Sequence, residues 1–146
     1  MKGAGQLNVV LNSVYDLNST QRSADYQAAA SQLLSRQKRR ALVLLVTNLR
    51  DEDDDELLTA VKRLSKQHQV LVASLRESVL DTTRLLPVQT LSEALAYCGT
   101  VEYLNSRAAL HERLIAHGVP VVDGQPEALG PELVTRYLSW KKAGTI

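Results

Sequence analysis

Six consecutive acidic residues, Asp51 to Glu56, begin shortly after an apolar run and could form a divalent-cation site. Carboxylate oxygens are the ligands that calcium and magnesium prefer. The competing interpretation is a helix start, because the helix dipole stabilises each acid in a first turn by roughly 0.3–1 kcal/mol. Consecutive helical residues point about 100° apart, so six such carboxylates do not converge on one ion. A calcium loop also needs a glycine at its bend, and this segment has none. We therefore predict a helix N-terminus, with an acidic docking surface as the alternative.

The three histidines lack the spacing of a metal site. His111 and Glu112 begin like a zinc-protease helix, but Ile115 stands where the second histidine must fall. His117 lies six residues after His111, on a different side of a helix, and His68 stands near a predicted helix C-terminus, where a cation is stabilised. We expect none of the three to bind a metal.

Motifs for nucleotide binding and for nucleophilic catalysis are missing. No glycine-rich phosphate loop follows an apolar run, and no Gly-x-Ser-x-Gly nucleophile elbow occurs. Asp123-Gly124 ends the third apolar run, at the edge where ligands gather in α/β proteins, although a plain turn explains the pair better. Cys98, the only cysteine, lies in a helical segment and is interpreted as a small core residue. We predict no catalytic residue and no cofactor, so the chain is not expected to be an enzyme; a small-molecule hydrolase is the weaker alternative.

Composition and charge narrow the class of protein. The chain has 146 residues, 45% of them hydrophobic, and a formal net charge of +1, as expected for one globular domain. A near-neutral charge argues against nucleic acid as a partner. The basic cluster at residues 36–40 is interpreted as a helix C-terminus. No apolar run reaches signal-peptide or membrane-helix length, so we expect a cytoplasmic protein without a membrane segment.

Hydrophobic periodicity predicts strands that alternate with helices. Apolar runs of strand length occur at residues 41–46, 70–75 and 119–122. Helical spacing or helix signals occur near 7–14, from Ser23 to 34, after the acids to about 67, from a Thr90–Glu93 capping box to 117, where Gly118 is a suitable stop, and from Pro131 onward. The polar segment from Arg76 to Val88 is predicted to be the longest loop. This order predicts an α/β protein with a parallel sheet. We interpret residues 1–146 as a single three-layer domain.

The first strand raises a packing problem. If the strands lie in chain order, both crossover helices cover one face, and the N-terminal helices and the C-terminal helix must cover the other. Strand 41–46 would then be an edge, although it is the most apolar of the three. Exposed apolar edges invite pairing with another chain. We therefore predict an interaction surface at Leu42, Leu44 and Val46, which either another part of a larger protein or a second copy of this chain covers.

Three segments together resemble a known family. They are "DYQAAASQLLSRQKRRALVLLVTNL", "KQHQVLVASLRE" and "HGVPVVDGQPEALGPELVTRYLSWKKAG". They are similar to the C-terminal half of bacterial proteins in domain-of-unknown-function family 58, which carry a von Willebrand factor type A-like domain. The resemblance implies a sheet of about six strands in the order 3-2-1-4-5-6, of which this chain supplies strands four, five and six. Strand 41–46 would then be a central strand without its neighbour, strand one, and residues 1–146 would form a partial, three-layer, Rossmann-like domain. Because that neighbour is missing, we expect a homodimer that pairs or covers this strand across a two-fold axis.

The resemblance also bears on metal binding. Type A domains often bind a divalent cation through an Asp-x-Ser-x-Ser motif after strand one, a threonine from a later loop, and an aspartate in a Thr-Asp-Gly or Thr-Asp-Leu motif after strand four. Here strand four ends in Thr47-Asn48-Leu49, and no Asp-x-Ser-x-Ser motif is present. Thr47 and Asn48 are therefore candidates for only a degenerate site, and we expect no metal.

These observations lead to two functional hypotheses. The first is a non-catalytic protein-interaction module, with a MoxR-type AAA+ ATPase as the partner that the resemblance implies. The alternative is a divalent-cation-binding type A-like domain with a degenerate metal site.

Overall fold

A computed structural model describes residues 4–49 and 54–145 of the chain. It contains six helices and three strands within those ranges. In chain order they are α1 (Ala4–Val14), α2 (Tyr26–Arg36), β1 (Leu42–Thr47), α3 (Asp54–Ser65), β2 (Gln69–Leu75), α4 (Ser78–Leu85), α5 (Leu91–Ala116), β3 (Val121–Gly124) and α6 (Pro126–Lys142). The predicted mixed α/β class is confirmed.

The three strands form one parallel sheet in the order β1-β2-β3. Leu42 pairs with Gln69 and Thr47 with Ser74, so β1 and β2 are in register along the whole of β1. β3 is shorter and pairs only with the second half of β2, from Val72 to Leu75. The layout is compatible with a Rossmann-like arrangement, and the strands begin within about two residues of the predicted positions, a normal boundary uncertainty.

Side chains of alternate strand residues belong to two separate cores. Val43, Leu45 and Val72 pack against α2, α3 and α5 on one face. Leu71 and Ala73 pack against Leu129 and Leu133 of α6 on the other face. The prediction that both N-terminal helices join α6 was wrong: among the described residues α1 is part of neither core, and α2 lies on the face opposite α6. The reason is that α2 packs on α3, where Arg63 donates hydrogen bonds to Gln27 and Ser31.

Helix α1 contributes nothing to either core. Its apolar residues Leu7, Val10, Leu11 and Val14 fall on one helical face, as predicted, but all are exposed. An isolated helix of 11 residues is only marginally stable in water, because helix nucleation is unfavourable and each added residue contributes little stabilisation. No described residue covers this face of α1.

Several predicted helix boundaries need correction. α2 is capped by Asp25, whose carboxylate accepts a hydrogen bond from the Ala28 N–H at 2.7 Å, and not by Ser23. α6 begins at Pro126, five residues before Pro131, because buried Leu129 anchors its first turn to β3. Residues 78–85, predicted as part of a long loop, form α4. Cys98 is exposed, so its interpretation as a core residue was wrong.

Other local signals are confirmed. Thr90 and Glu93 form a reciprocal capping box at the start of α5, which continues without a break through Gly99. Gly118 follows that helix with φ of +75°, a backbone conformation that glycine adopts without the steric cost of a side chain. In the basic cluster, Lys38 donates a hydrogen bond from Nζ to the Leu34 carbonyl near the end of α2.

The acidic run divides at the limit of the described residues. Asp54, Asp55 and Glu56 occupy the first turn of α3, as the helix-start interpretation predicts. Asp51, Glu52 and Asp53 lie outside the described residues, so the alternative of an acidic docking surface stays open.

Candidate functional site

The carboxyl edge of the sheet brings polar groups from all three strands together. β1 ends at Thr47, the buried Ser74 lies near the end of β2, and Asp123 lies near the end of β3. Three polar residues of α5, spaced four apart, reach the same edge: Tyr103, Arg107 and His111. Residues at i and i+4 lie on one side of a helix, so this spacing produces a polar stripe.

Arg107 connects the first and third strands. Its side chain is only 3% exposed. One terminal nitrogen donates to the Asn48 carbonyl at 2.7 Å, and the other donates to Asp123 Oδ1 at 2.6 Å. Short charge-assisted hydrogen bonds of this kind are among the stronger ones in proteins. The buried guanidinium therefore holds the end of β1 in place relative to the end of β3.

Two tyrosines contact the segment at the end of β1. The Tyr103 hydroxyl lies within hydrogen-bond distance of two carbonyl oxygens, that of Asn48 at 3.0 Å and that of Leu49 at 3.1 Å, and can donate to either. Leu49 is buried and has φ of +42°, a left-handed conformation that costs a non-glycine residue about 1–2 kcal/mol. The Tyr26 hydroxyl lies 3.0 Å from Thr47 Oγ1. Contacts from α2 and α5 thus stabilise a strained turn directly after β1.

This environment is unfavourable for a cation at the degenerate metal candidates. The Asn48 carbonyl already accepts from a guanidinium, whose positive charge would repel a metal ion at the same oxygen. The Thr47 hydroxyl contacts Tyr26 and, at 3.4 Å, the Leu49 N–H. Within residues 4–49 and 54–145, no cluster of three or more His, Cys, Asp or Glu side chains could hold a metal.

An open cleft of about 660 Å³ lies beside Thr47 and Asn48. Residues 20–24, Leu75 and Pro126 form its other walls. Its described charged lining consists of Arg22, Arg76 and Glu77, two cations and one anion. Hard divalent cations require several oxygen ligands, usually including carboxylates, so this lining does not fit one.

Ser74 and His111 form a hydrogen-bonded pair that resembles part of a catalytic triad. Ser74 Oγ lies 3.0 Å from His111 Nε2, and Asp123 is near enough to affect the imidazole. Burial lowers the pKa of His111; the Asp123 carboxylate raises that pKa, and Arg107 lowers it further. Ser74 is completely buried, however, and the Asp123 carboxylate is bonded to Arg107. No substrate carbonyl can reach this serine in the described conformation, so the pair is structural.

The predicted interaction residues share one face of β1 but differ in exposure. Leu42 packs at the margin of the core beneath α6. Leu44 and Val46 are 44% and 51% exposed, because α6 packs against β2 and β3 and leaves the outer part of the sheet uncovered. Leu45, between them, points into the opposite core.

Sequence reasoning missed the residues that build the carboxyl edge. Tyr103, Arg107 and Ser74 match no motif, and His111 was considered only as a metal ligand. One signal was available: three polar residues of α5 are spaced at intervals of four. They lie close to the side of the helix that carries the buried Leu110 and Leu114. Asp123 was singled out, but its partner was not.

Comparisons with known proteins leave the family open. No protein-family model, curated protein or solved structure matches this sequence. None of the helices in the described ranges is long and apolar enough to cross a membrane.

Proposed function

We propose that this chain is a non-catalytic protein-interaction module that binds its partners through the β1 surface. The β1 surface is defined as the free edge of β1 together with the exposed side chains of Leu44 and Val46. The main support is the position of β1. It is the most apolar strand of the sequence, yet it lies at an edge of the described sheet. The edge strands of β-sheets are usually short, charged or covered by another part of the protein.

The chemistry of β1 fits a strand that is normally covered. Parallel strands in α/β proteins are buried on both faces and are continuously apolar, as Leu42 to Val46 are. Only one face of β1 is packed against helices along its full length. Along its outer edge, backbone groups of β1 have no strand partner within the described ranges. An added strand would satisfy those groups, and an apolar layer over Leu44 and Val46 would remove them from water.

The resemblance to domain-of-unknown-function family 58 supports the same surface. In a von Willebrand factor type A-like domain, β1 would be strand four and would pair with strand one, which this chain does not supply. The family also suggests the partner class, a MoxR-type AAA+ ATPase. When no other partner is present, a second copy of the chain covers β1 across a two-fold axis, which makes the junction between the two β1 strands antiparallel.

Assembly in solution tests the proposal. Light scattering on the 146-residue chain at tens of micromolar is expected to give a dimer. The Leu44→Lys variant is expected to be monomeric, because it places a charge in the covered layer. Ile115→Lys is the matched control, since Ile115 is similarly exposed but lies on α5, away from β1, and it should remain dimeric. A monomeric wild-type chain, or equal loss of dimer in both variants, would contradict the β1 surface.

The partner class needs a separate measurement. Calorimetric titration with a purified MoxR-type ATPase is expected to show binding by the wild-type chain and by Ile115→Lys, with weaker binding by Leu44→Lys. Equal binding by the two variants would place the ATPase contact elsewhere. Absence of binding would remove this partner without affecting the dimer result.

A further inference from the structure

A second crevice lies at the carboxyl edge of the sheet and is lined by no residue of the β1 surface. It has a volume of about 270 Å³ and lies between α4, α5 and the carboxyl ends of β2 and β3. Three arginines from three different segments line it: Arg76 after β2, Arg84 in α4 and Arg107 in α5. We propose that this arginine crevice binds a phosphate group, as inorganic phosphate or on a small phosphate ester.

The carboxylates in the crevice do not balance its positive charge. Three guanidiniums face two carboxylates, those of Asp81 and Asp123. Asp123 is shared, at 2.6 Å from Arg107 and 3.6 Å from Arg76. Arg84 has no hydrogen-bond or ion-pair partner within residues 4–49 and 54–145. An anionic ligand would therefore meet one uncompensated positive charge.

Besides this positive charge, the crevice has two buried arginine nitrogens that lack hydrogen-bond partners among the described residues. Arg107 is held by its two terminal nitrogens, while its buried Nε has no hydrogen-bond partner. Arg76 Nε is buried as well: it lies 3.4 Å from Asp81 Oδ2, within ion-pair distance but without hydrogen-bond geometry. Asp81 Oδ2 also accepts from Gln125 Nε2 at 3.1 Å. Buried donors without partners are unfavourable, and an incoming oxygen ligand that reached them would remove that cost.

Ligand shape favours phosphate over a carboxylate. A planar carboxylate presents two oxygens to one guanidinium fork, whereas a tetrahedral phosphate can accept from several arginines that approach from different directions. Asn105 and His111 add neutral polar groups to the lining. The volume is smaller than a typical drug-sized pocket of roughly 300–1,000 Å³, which suits a phosphate group or a small ester. The position also follows the rule that α/β sheets bind ligands beyond the carboxyl ends of their strands.

Titration of the full chain with inorganic phosphate, followed by ¹⁵N–¹H NMR at constant ionic strength, tests this site. Saturable shifts are expected at the backbone amides of Arg76, Asn105 and Gly124. Arg84→Gln should weaken the Kd about tenfold through loss of a charged hydrogen bond. Arg84 is exposed and unpaired among the described residues, so this variant should fold normally. Arg36→Gln, an exposed arginine at the end of α2, is the charge-matched control and should leave the Kd unchanged.

Other outcomes overturn the assignment. Shifts that sodium chloride reproduces, or that do not saturate, would mean general charge screening. Equal weakening by Arg84→Gln and Arg36→Gln would mean that net charge matters and the crevice does not. Tighter binding of malonate than of phosphate would reassign the crevice to carboxylates. Each result is independent of the oligomeric state, because the crevice does not include β1.

Discussion

Arg107 and Asp123 form a 2.6 Å ion pair that links helix α5 to the end of β3. The same guanidinium donates to the Asn48 carbonyl at the end of β1. One side chain of α5 therefore determines the relative position of the two outer strands at the carboxyl edge. This is the edge that borders both the cleft beside Thr47 and the arginine crevice.

Removal of the Arg107 guanidinium should destabilise the protein substantially. In Arg107→Met, Asp123 and the Asn48 carbonyl lose their donor. We expect the free energy of unfolding to fall by about 3 kcal/mol. This is the lower end of the range for breaking a buried ion pair, because the Asp123 carboxylate is partly accessible to water. Urea denaturation followed by circular dichroism measures it. Arg113→Gln is the control on the same helix: Arg113 is 43% exposed and pairs with Asp54 and with the 91% exposed Asp55, so the loss should stay below about 1 kcal/mol. Equal losses in the two variants would contradict the special role of Arg107.

Protonation of His111 should make stability depend on pH. Burial lowers its pKa in the folded state, so the unfolded chain binds the proton more tightly. The stabilisation from a neutral His111 is therefore fully present above the ordinary histidine pKa of about 6.5 and declines as the pH falls toward the folded-state pKa. Urea denaturation at pH 7.5 and pH 5.5 should show a smaller decline for His111→Gln than for the wild-type chain. His117→Gln, which changes an exposed histidine, should retain the wild-type decline. If the His117 variant shows the reduced decline instead, the assignment to His111 is wrong.

Divalent cations should not bind at Thr47 and Asn48. The guanidinium at the Asn48 carbonyl and the charges around the neighbouring cleft oppose a cation there. Calorimetric titration of the chain with magnesium, manganese and calcium is expected to show no micromolar binding. Binding in that range that Asn48→Ala abolishes would instead favour the alternative of a degenerate type A-like metal site. Thr59→Ala, which changes an exposed threonine on α3, is a control for changes unrelated to that site.

Much of the fold could be predicted because its signals are local. Continuous apolar runs of strand length identify β1, β2 and β3, and the alternation with helical segments requires parallel connections. The Thr90–Glu93 capping box and Gly118 mark the ends of α5, since both act on backbone groups within a few residues. The position of α2 was not predictable in the same way. Its apolar face indicates burial but not which side of the sheet provides it.

The candidate site was predictable only in part. Asp123 was recognised from its position after a strand, and Asn48 from a resemblance, but the residue that joins them was not. Arg107 lies 59 residues from Asn48 and 16 from Asp123. A helical arginine ordinarily extends into solvent, and no local pattern distinguishes one that is buried. The same limitation applies to the Ser74–His111 pair.

The sequence by itself determined the three strands, every helix except α4, their order and the parallel sheet, because periodicity and capping depend on neighbouring residues. It also indicated an apolar first strand in need of cover. Only the tertiary structure decided which face each helix packs on, and it alone showed that Leu44 and Val46 stay exposed while Leu42 is partly covered. It alone brought Arg76, Arg84 and Arg107 around one crevice. The physical reason is that burial and charge pairing depend on residues that are distant in the chain and become neighbours only when the sheet and its helices pack.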